Sequence, residues 1–86
     1  MPEICRFYGI IIAMYFEDHP PPHFHARYGD YKISVKIEDY MVLEGSFPPR
    51  ALGLVMEWAA KNQEKLMTNW DLAQDSQPLV KIAPLE

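Results

Sequence analysis

A strict two-residue alternation on both sides of Gly29-Asp30 constrains the fold of this chain more than any other feature. From His23 to Tyr28, apolar and cationic side chains alternate as they do in a strand with one buried face. Glycine at the first of two central positions is typical of a type II′ turn, so we expect a hairpin at Gly29-Asp30. This turn fixes the register of the two strands, because it sets Tyr28 opposite Tyr31 and His23 opposite Lys36.

The predicted hairpin has two chemically different faces. The apolar face carries Phe24, Ala26, Ile33, Val35 and Ile37. The polar face carries His23, His25, Arg27, Lys32, Ser34 and Lys36. We therefore predict that the first set lies in the core and that the second set shares one solvent-accessible face of the sheet.

Further strands are predicted on both sides of the hairpin. The apolar run Ile10 to Phe16 is typical of a strand covered on both faces, and Arg6 to Gly9 forms either a short strand or a bend before it. Tyr40 to Glu44 is predicted as a third meander strand, and Gly45-Ser46 is expected to end the sheet.

The C-terminal half has helical spacing. Pro48-Pro49 suits a first helical turn, and apolar residues then recur at intervals of three and four. We favour a second helix over Gln63 to Gln74, and we expect the tail from Pro78 to Leu85 to pack as an edge strand or against a partner. The chain is thus predicted to be one α+β domain over residues 1–86, an antiparallel β-meander of three to four strands packed on one or two C-terminal helices.

Length, cysteine content and charge narrow the class of protein. A chain of 86 residues holds one core, and its single cysteine, Cys5, has no internal partner, which favours the cytoplasm. It lacks an apolar run of about 20 residues, so no membrane segment is expected. The net charge of −4 disfavours general coating of nucleic acid but permits a local basic patch.

All three histidines lie within seven positions, from His19 to His25. On a strand, His23 and His25 would project from one face roughly 6–7 Å apart. That spacing suits a general acid and base beside Arg27, and it also suits a shared metal ion with His19 or Asp18 as third ligand. The same pattern occurs on an ordinary polar sheet face that contacts a partner, so three alternatives remain.

Several motifs resemble a small bacterial family known as domain of unknown function 4160. They are Arg6 to Ile10, Asp18 to Ala26, Tyr28-Gly29, Leu43-Glu44-Gly45, Pro49 to Leu52, Glu57-Trp58-Ala59, Asn69-Trp70 and Pro78-Leu79. Members of that family resemble the toxin of two-gene toxin–antitoxin modules. The resemblance therefore implies a cytoplasmic, growth-inhibiting toxin that is held inactive by an antitoxin protein, and it assigns no catalytic residues.

The leading hypothesis is a toxin that cleaves RNA. Histidines would exchange protons during attack of a 2′-OH on the phosphodiester while cationic side chains stabilise the phosphate. The candidate catalytic residues are His19, His23, His25, Arg27, Arg6 and Tyr8. This chemistry needs no cofactor, and we expect no tightly held metal.

A non-enzymatic module that binds protein or nucleic acid is the alternative. Trp58 and Trp70 are its candidate anchors, and the prediction leaves room for a homo-oligomer. A serine hydrolase is disfavoured, because Ser34 opposite His25 comes without an oxyanion-hole motif.

Overall fold

A computed structural model describes residues 2–86 and shows one antiparallel sheet followed by two α-helices. The elements are β1 Glu3–Phe7, β2 Ile10–Ala13, β3 His23–Tyr28, β4 Tyr31–Lys36, β5 Val42–Ser46, α1 Pro49–Lys61 and α2 Gln63–Gln74. The strands lie in the sheet in their order along the chain, and each pairs with the next. The α+β class is confirmed, but the sheet has five strands and not three to four.

The additional strand comes from the N-terminal segment. Tyr8 and Gly9 both have positive φ, +49° and +81°, and connect Phe7 to Ile10 in a two-residue hairpin. This conformation matches a type I′ turn, whose twist suits two adjacent antiparallel strands. The segment around Arg6 therefore forms β1 and a reverse turn, where the sequence left a strand and a bend as alternatives.

The β3–β4 hairpin has the predicted register. His23 pairs with Lys36, His25 with Ser34, and Tyr28 with Tyr31. Gly29 has a φ of +59°, the positive value that glycine supplies at the first central position of a type II′ turn. The alternation of side chains and the turn together were therefore sufficient to fix this part of the fold.

Three strand boundaries differ from prediction. The last strand, β5, begins at Val42 and not at Tyr40. The strand starting at Ile10 ends at Ala13, and the last two residues of the apolar run, Tyr15 and Phe16, are exposed. Gly45 does not end the sheet; it pairs with Ile33 within β5. The reason is a close backbone approach, because a Cβ on Gly45 would lie 2.0 Å from the Lys32 carbonyl oxygen. Glycine is required there by the pairing itself.

The core lies between the apolar face of the sheet and the helices. Trp58 on α1 packs its ring 5.6 Å from that of Phe7 and 6.0 Å from that of Phe24, measured between centroids. Trp58 and Phe24 are almost fully buried, and burying such a side chain contributes about 2–3 kcal/mol to stability. All five residues predicted for the apolar face of the hairpin are buried.

The second helix is confirmed over Gln63–Gln74. Helix α1 begins at Pro49 and ends before Asn62. Proline is tolerated at this first position because the N–H that it lacks would have no acceptor within the helix. The Asn62 side chain donates to the Trp58 carbonyl oxygen at 2.8 Å, which satisfies a carbonyl at the end of α1. Neither helix of residues 2–86 has the length and apolar character needed to cross a membrane.

The C-terminal tail packs on the body of the protein without forming a strand. The Ile82 N–H donates to the Ile4 carbonyl oxygen at 2.9 Å, beside β1. The Trp58 indole N–H donates to the Ala83 carbonyl oxygen, also at 2.9 Å. Ile82 and Leu85 are buried, so the apolar tail covers the core of its own chain.

Candidate functional site

His23 and His25 project from the same face of β3, as predicted, but they differ in exposure. His25 keeps 25% of its side-chain surface exposed, whereas His23 is buried, with 7%. The His23 ring lies 5.3 Å from the ring of Trp70 on α2. The predicted solvent-accessible face is therefore wrong for His23, because α2 and the proline-rich loop cover this end of the strand. It is also wrong for Ser34, which is buried.

Asp18 lies between the two imidazoles. Its Oδ2 atom is 2.9 Å from His23 Nε2 and 3.3 Å from His25 Nε2. The loop that carries Asp18 is held by α2, since the Gln74 side chain donates to the Asp18 carbonyl oxygen at 2.8 Å and the Glu17 N–H donates to Ala73. The resulting three-residue group of Asp18, His23 and His25 is called the Asp-His-His cluster below.

The second ring nitrogen of each histidine also has a partner. His23 Nδ1 is 2.6 Å from the carbonyl oxygen of Pro21, and His25 Nδ1 is 3.3 Å from Ser34 Oγ. A carbonyl oxygen only accepts hydrogen bonds, so His23 Nδ1 carries a proton and donates it. Both rings are thereby fixed in orientation, with their Nε2 atoms directed at Asp18.

Burial changes the titration of His25 and Asp18. Desolvation lowers the pKa of His25 below its ordinary value; the nearby His23 adds to this effect and the hydrogen bond to Asp18 opposes it. Desolvation raises the pKa of Asp18. The hydrogen bonds from His25 and from the His19 N–H, with the charges of the imidazoles, outweigh it and leave that pKa below its ordinary value. Asp18 is thus a carboxylate at neutral pH.

An open groove of about 370 Å³ borders the cluster on the polar face of the sheet. Its lining includes Ile11, Ala13, Tyr15, His25, Arg27, Lys32, Ser34 and Glu44. The Tyr15 ring stands edge-on to the His25 imidazole, with 4.4 Å between centroids. Arg27 and Lys32 pair across β3 and β4, so two cations lie side by side next to the row that contains His25.

The remaining predicted site residues lie farther from the cluster. His19 is at its edge, because its Nδ1 is 3.2 Å from Asp18 Oδ1 while 88% of its side chain is exposed. Arg6 shares the polar face, in register with Ile11, but its guanidinium is paired with Glu3 at 2.8 Å. Tyr8, in the β1–β2 turn, lines a separate recess with Arg50.

The catalytic candidates predicted from sequence lack four residues of the site, which are Asp18, Ser34, Tyr15 and Lys32. Asp18 was considered only as an alternative metal ligand to His19, and Ser34 only as a serine nucleophile. The register alone signals Ser34 as a partner of His25. Tyr15 is a candidate for base stacking from its aromatic ring, but the apolar run Ile10 to Phe16 predicts a buried strand and gives no indication that Tyr15 contacts His25.

Comparison with known proteins identifies the family but supplies no activity. No curated protein matches the chain, and no solved structure matches it. Residues 9–71 match the model of the family described as domain of unknown function (DUF4160). The matched stretch includes the whole Asp-His-His cluster and the groove residues that follow it. Because the match covers well over half of the 86 residues, this chain belongs to the DUF4160 family.

Proposed function

We propose that this protein cleaves RNA in the groove beside the Asp-His-His cluster and acts as the toxin of a toxin–antitoxin pair. One observation carries the proposal: a partly buried carboxylate-imidazole cluster adjoins a groove whose wall holds the paired cations Arg27 and Lys32. Proton-transfer groups beside phosphate-binding cations are the two requirements of phosphodiester cleavage.

Arg27 and Lys32 are close enough to bind one phosphate together. Arg27 and Lys32 are directly opposed on neighbouring strands, where side chains start about 4.5–5.5 Å apart. On β3, Arg27 is two residues from His25, about 6–7 Å along the strand. When a phosphate is bound between the two cations, the adjacent 2′-OH would therefore be close to His25. The Tyr15 ring could contact a neighbouring base or ribose.

The proposed reaction uses the 2′-OH of the RNA. The cluster accepts the proton of the 2′-OH, the 2′-oxygen forms a bond to the adjacent phosphorus, and the bond from phosphorus to the 5′-oxygen breaks. A proton returns to the 5′-oxygen, which gives a 2′,3′-cyclic phosphate and a 5′-OH end. Arg27 and Lys32 stabilise the additional negative charge on the phosphate oxygens during the attack.

Mapping of RNA ends tests the proposal. We expect the purified protein to produce 2′,3′-cyclic phosphate ends, and Asp18→Asn or His25→Ala to lower the rate at least ~100-fold. Arg50→Ala is the matched control, because Arg50 is an exposed cation that lines the other recess. RNA that stays intact with the folded wild-type protein, or full cleavage by both variants, would exclude the reaction.

The proposal includes an antitoxin partner, which would bind at the edge strand β5. This strand lies at the edge of the sheet, and the neighbouring side chains Met41, Val42 and Leu43 are exposed. An exposed apolar edge can accept a further strand from a partner. The alternative function, a binding module without catalysis, would use the same edge. Its predicted anchors Trp58 and Trp70 are wrong, because both side chains are buried in the core.

Growth assays separate toxin from binding module. A cytoplasmic RNA-cleaving toxin loses growth inhibition in His25→Ala, whereas Leu43→Lys should retain toxicity and lose protection by the antitoxin. A binding module gives the reverse pattern. Growth inhibition is then lost in Leu43→Lys and kept in His25→Ala. Thermal melts of both variants establish that each is folded.

A further inference from the structure

The Asp-His-His cluster brings three potential metal ligands together on the fold. One donor atom from each of Asp18, His23 and His25 lies within 4.8 Å of the other two. We infer that these three side chains bind one divalent transition-metal ion, for which Zn²⁺ is the best fit. The inference rests on the proposed function only in assigning a role to the metal, since binding itself follows from the geometry of the cluster.

The distances to Asp18 agree with a shared ion. Zn²⁺ binds imidazole nitrogen and carboxylate oxygen at about 2.0–2.2 Å, so two ligands in a tetrahedral arrangement are about 3.3–3.5 Å apart. The Asp18 Oδ2 atom is 2.9 Å from one Nε2 and 3.3 Å from the other. The three donor atoms all lie within 4.8 Å of one another, so one ion could contact all three after rotation of the side chains.

The outer hydrogen bonds of the cluster also match a metal centre. Imidazoles that bind metals through Nε2 use their other ring nitrogen in a hydrogen bond, often to a backbone carbonyl, and this bond fixes the tautomer and orients the ring. His23 has such a bond to the Pro21 carbonyl oxygen at 2.6 Å. The corresponding partner of His25 is Ser34 Oγ.

The tautomer of His23 adds a geometric argument for a cation, either a metal ion or a proton, between its Nε2 atom and Asp18. Its Nδ1 proton is directed at the Pro21 carbonyl oxygen, so a neutral ring has a bare lone pair on Nε2. That lone pair would face the Asp18 carboxylate at 2.9 Å, and two acceptors repel each other at this distance. A metal ion between Nε2 and Oδ2 removes the conflict, because both atoms then donate to it. A proton on Nε2 is the competing solution, and metal titration distinguishes the two.

The ligand set is that of a reactive centre. Two imidazoles and one carboxylate leave at least one coordination position for water, as in catalytic zinc sites, whereas structural sites have four protein ligands. Zinc lowers the pKa of its bound water to about 7, which provides a hydroxide at neutral pH. His25 belongs both to the cluster and to the groove wall, so this hydroxide would be available to accept the proton of the 2′-OH.

This inference reverses the preference drawn from sequence, which favoured proton transfer by the histidines without a metal. The H-x-H spacing alone left the third ligand undetermined between Asp18 and His19. The structure brings the Asp18 carboxylate between both Nε2 atoms, while the His19 ring contacts only its outer oxygen and is mostly exposed. His19 is therefore excluded from the proposed ligand set.

Titration of metal-free protein with Zn²⁺ tests the site. The protein is prepared without a histidine tag and stripped with a chelator, and binding is followed by calorimetry and by the visible absorption of added Co²⁺. We expect one ion per chain and at least ~100-fold weaker binding in Asp18→Asn and in His25→Ala. His19→Ala is the matched control, a mostly exposed histidine of the same segment whose ring contacts only the outer Asp18 oxygen, so its loss should weaken binding far less than either cluster variant does.

Each result has a defined meaning. The absence of stoichiometric binding by the folded wild-type protein would overturn the inference, and so would equal loss in His19→Ala, which would indicate binding by loosely grouped surface imidazoles. Retained affinity in both cluster variants would overturn it as well. The imidazole ¹⁵N shifts of His23 give a second readout, because metal ligation and protonation move the Nε2 resonance to different positions.

The metal site and the proposed function can fail separately. One bound Zn²⁺ per chain with RNA left intact would support the site and exclude the RNA-cleaving function. RNA cleavage that persists at full rate in excess chelator would support the function and exclude a role of the metal in cleavage, while binding itself is decided by the Zn²⁺ titration. Cleavage that stops in chelator and returns on addition of Zn²⁺ supports both.

Discussion

Ser34 lies directly across the β3–β4 ladder from His25, and its hydroxyl oxygen is 3.3 Å from His25 Nδ1. Polar contacts therefore connect Asp18, the His25 imidazole and Ser34, which lines the groove. Ser34 thus holds the ring of His25 in place from the side opposite to the carboxylate. Its role is to position His25, because the proposed metal and the RNA phosphate are both bound by other groups.

Ser34→Ala should weaken Zn²⁺ binding by about 10-fold, since loss of an outer hydrogen bond to a metal ligand costs about 10–100-fold in affinity or activity. The measurement is calorimetric titration of the stripped protein. Ser46→Ala is the control, because Ser46 is exposed on the same face of the sheet at the end of β5. Unchanged affinity in Ser34→Ala would show that His25 is oriented without the hydroxyl.

Lys32→Ala should weaken RNA binding and lower its dependence on salt. Each phosphate contact to single-stranded nucleic acid contributes about −0.7 to the slope of log K against log salt concentration, because a bound cation is released. We therefore expect the slope to fall by about 0.7 in Lys32→Ala. Fluorescence anisotropy at several salt concentrations measures it, and Arg50→Ala should keep the wild-type slope.

The β3–β4 hairpin could be predicted from sequence because its determinants are local. Alternation sets which side chains share a face, and Gly29-Asp30 sets the register, so His25 opposite Ser34 follows from fourteen consecutive residues. The two helices followed in the same way from apolar spacing and from the polar stretch near Asn62.

The burial of His23 and the position of Asp18 could not be predicted from local pattern. Both depend on α2, which covers the His23 ring with Trp70 and holds the Asp18 backbone through Gln74. These contacts join residues far apart in sequence, and alternation within a strand carries no information on them. The composition of the metal-ligand set was therefore open at the sequence level.

Gly45→Ala and Gly53→Ala should change stability in opposite directions. A Cβ on Gly45 would lie 2.0 Å from the Lys32 carbonyl oxygen, and the residue has a φ of +84°, so we expect a loss of at least ~2 kcal/mol. On Gly53, within α1, the added Cβ meets no atom of the described chain within 4 Å. Alanine there should add up to about 1 kcal/mol through helix propensity. Urea denaturation measures both, and a stable Gly45→Ala protein would contradict the close pairing of β4 with β5.

Cys5 should react slowly with thiol reagents in the native protein. Burial raises the pKa of its thiol above the ordinary value, so little of the reactive thiolate exists at neutral pH, and access is blocked as well. We expect labelling by an aromatic disulfide reagent only after denaturant is added. Rapid labelling without denaturant would show that β1 opens from the sheet.

Asn69→Ala should destabilise the protein through loss of the tail. The buried Asn69 side chain donates to the Val80 carbonyl oxygen and accepts from the Val80 N–H, both at 2.8 Å. Removing the amide leaves two backbone groups without these partners, which costs about 2–4 kcal/mol in free energy of unfolding. Urea denaturation measures the loss. Thr68→Ala, an exposed neighbour on α2, should stay within about ±0.5 kcal/mol of wild type.

Proteolysis shows whether that loss arises in the tail. The tail is joined to the body by Asn69, by the Trp58 indole and by the Ile82 N–H, so weakening one of these bonds should favour its release before global unfolding. We expect limited digestion of Asn69→Ala to remove the residues after 77 while the sheet stays intact, at protease levels that leave Thr68→Ala whole. Equal resistance of the two variants would contradict the role of Asn69 in anchoring the tail, because the amide would then contribute to stability elsewhere.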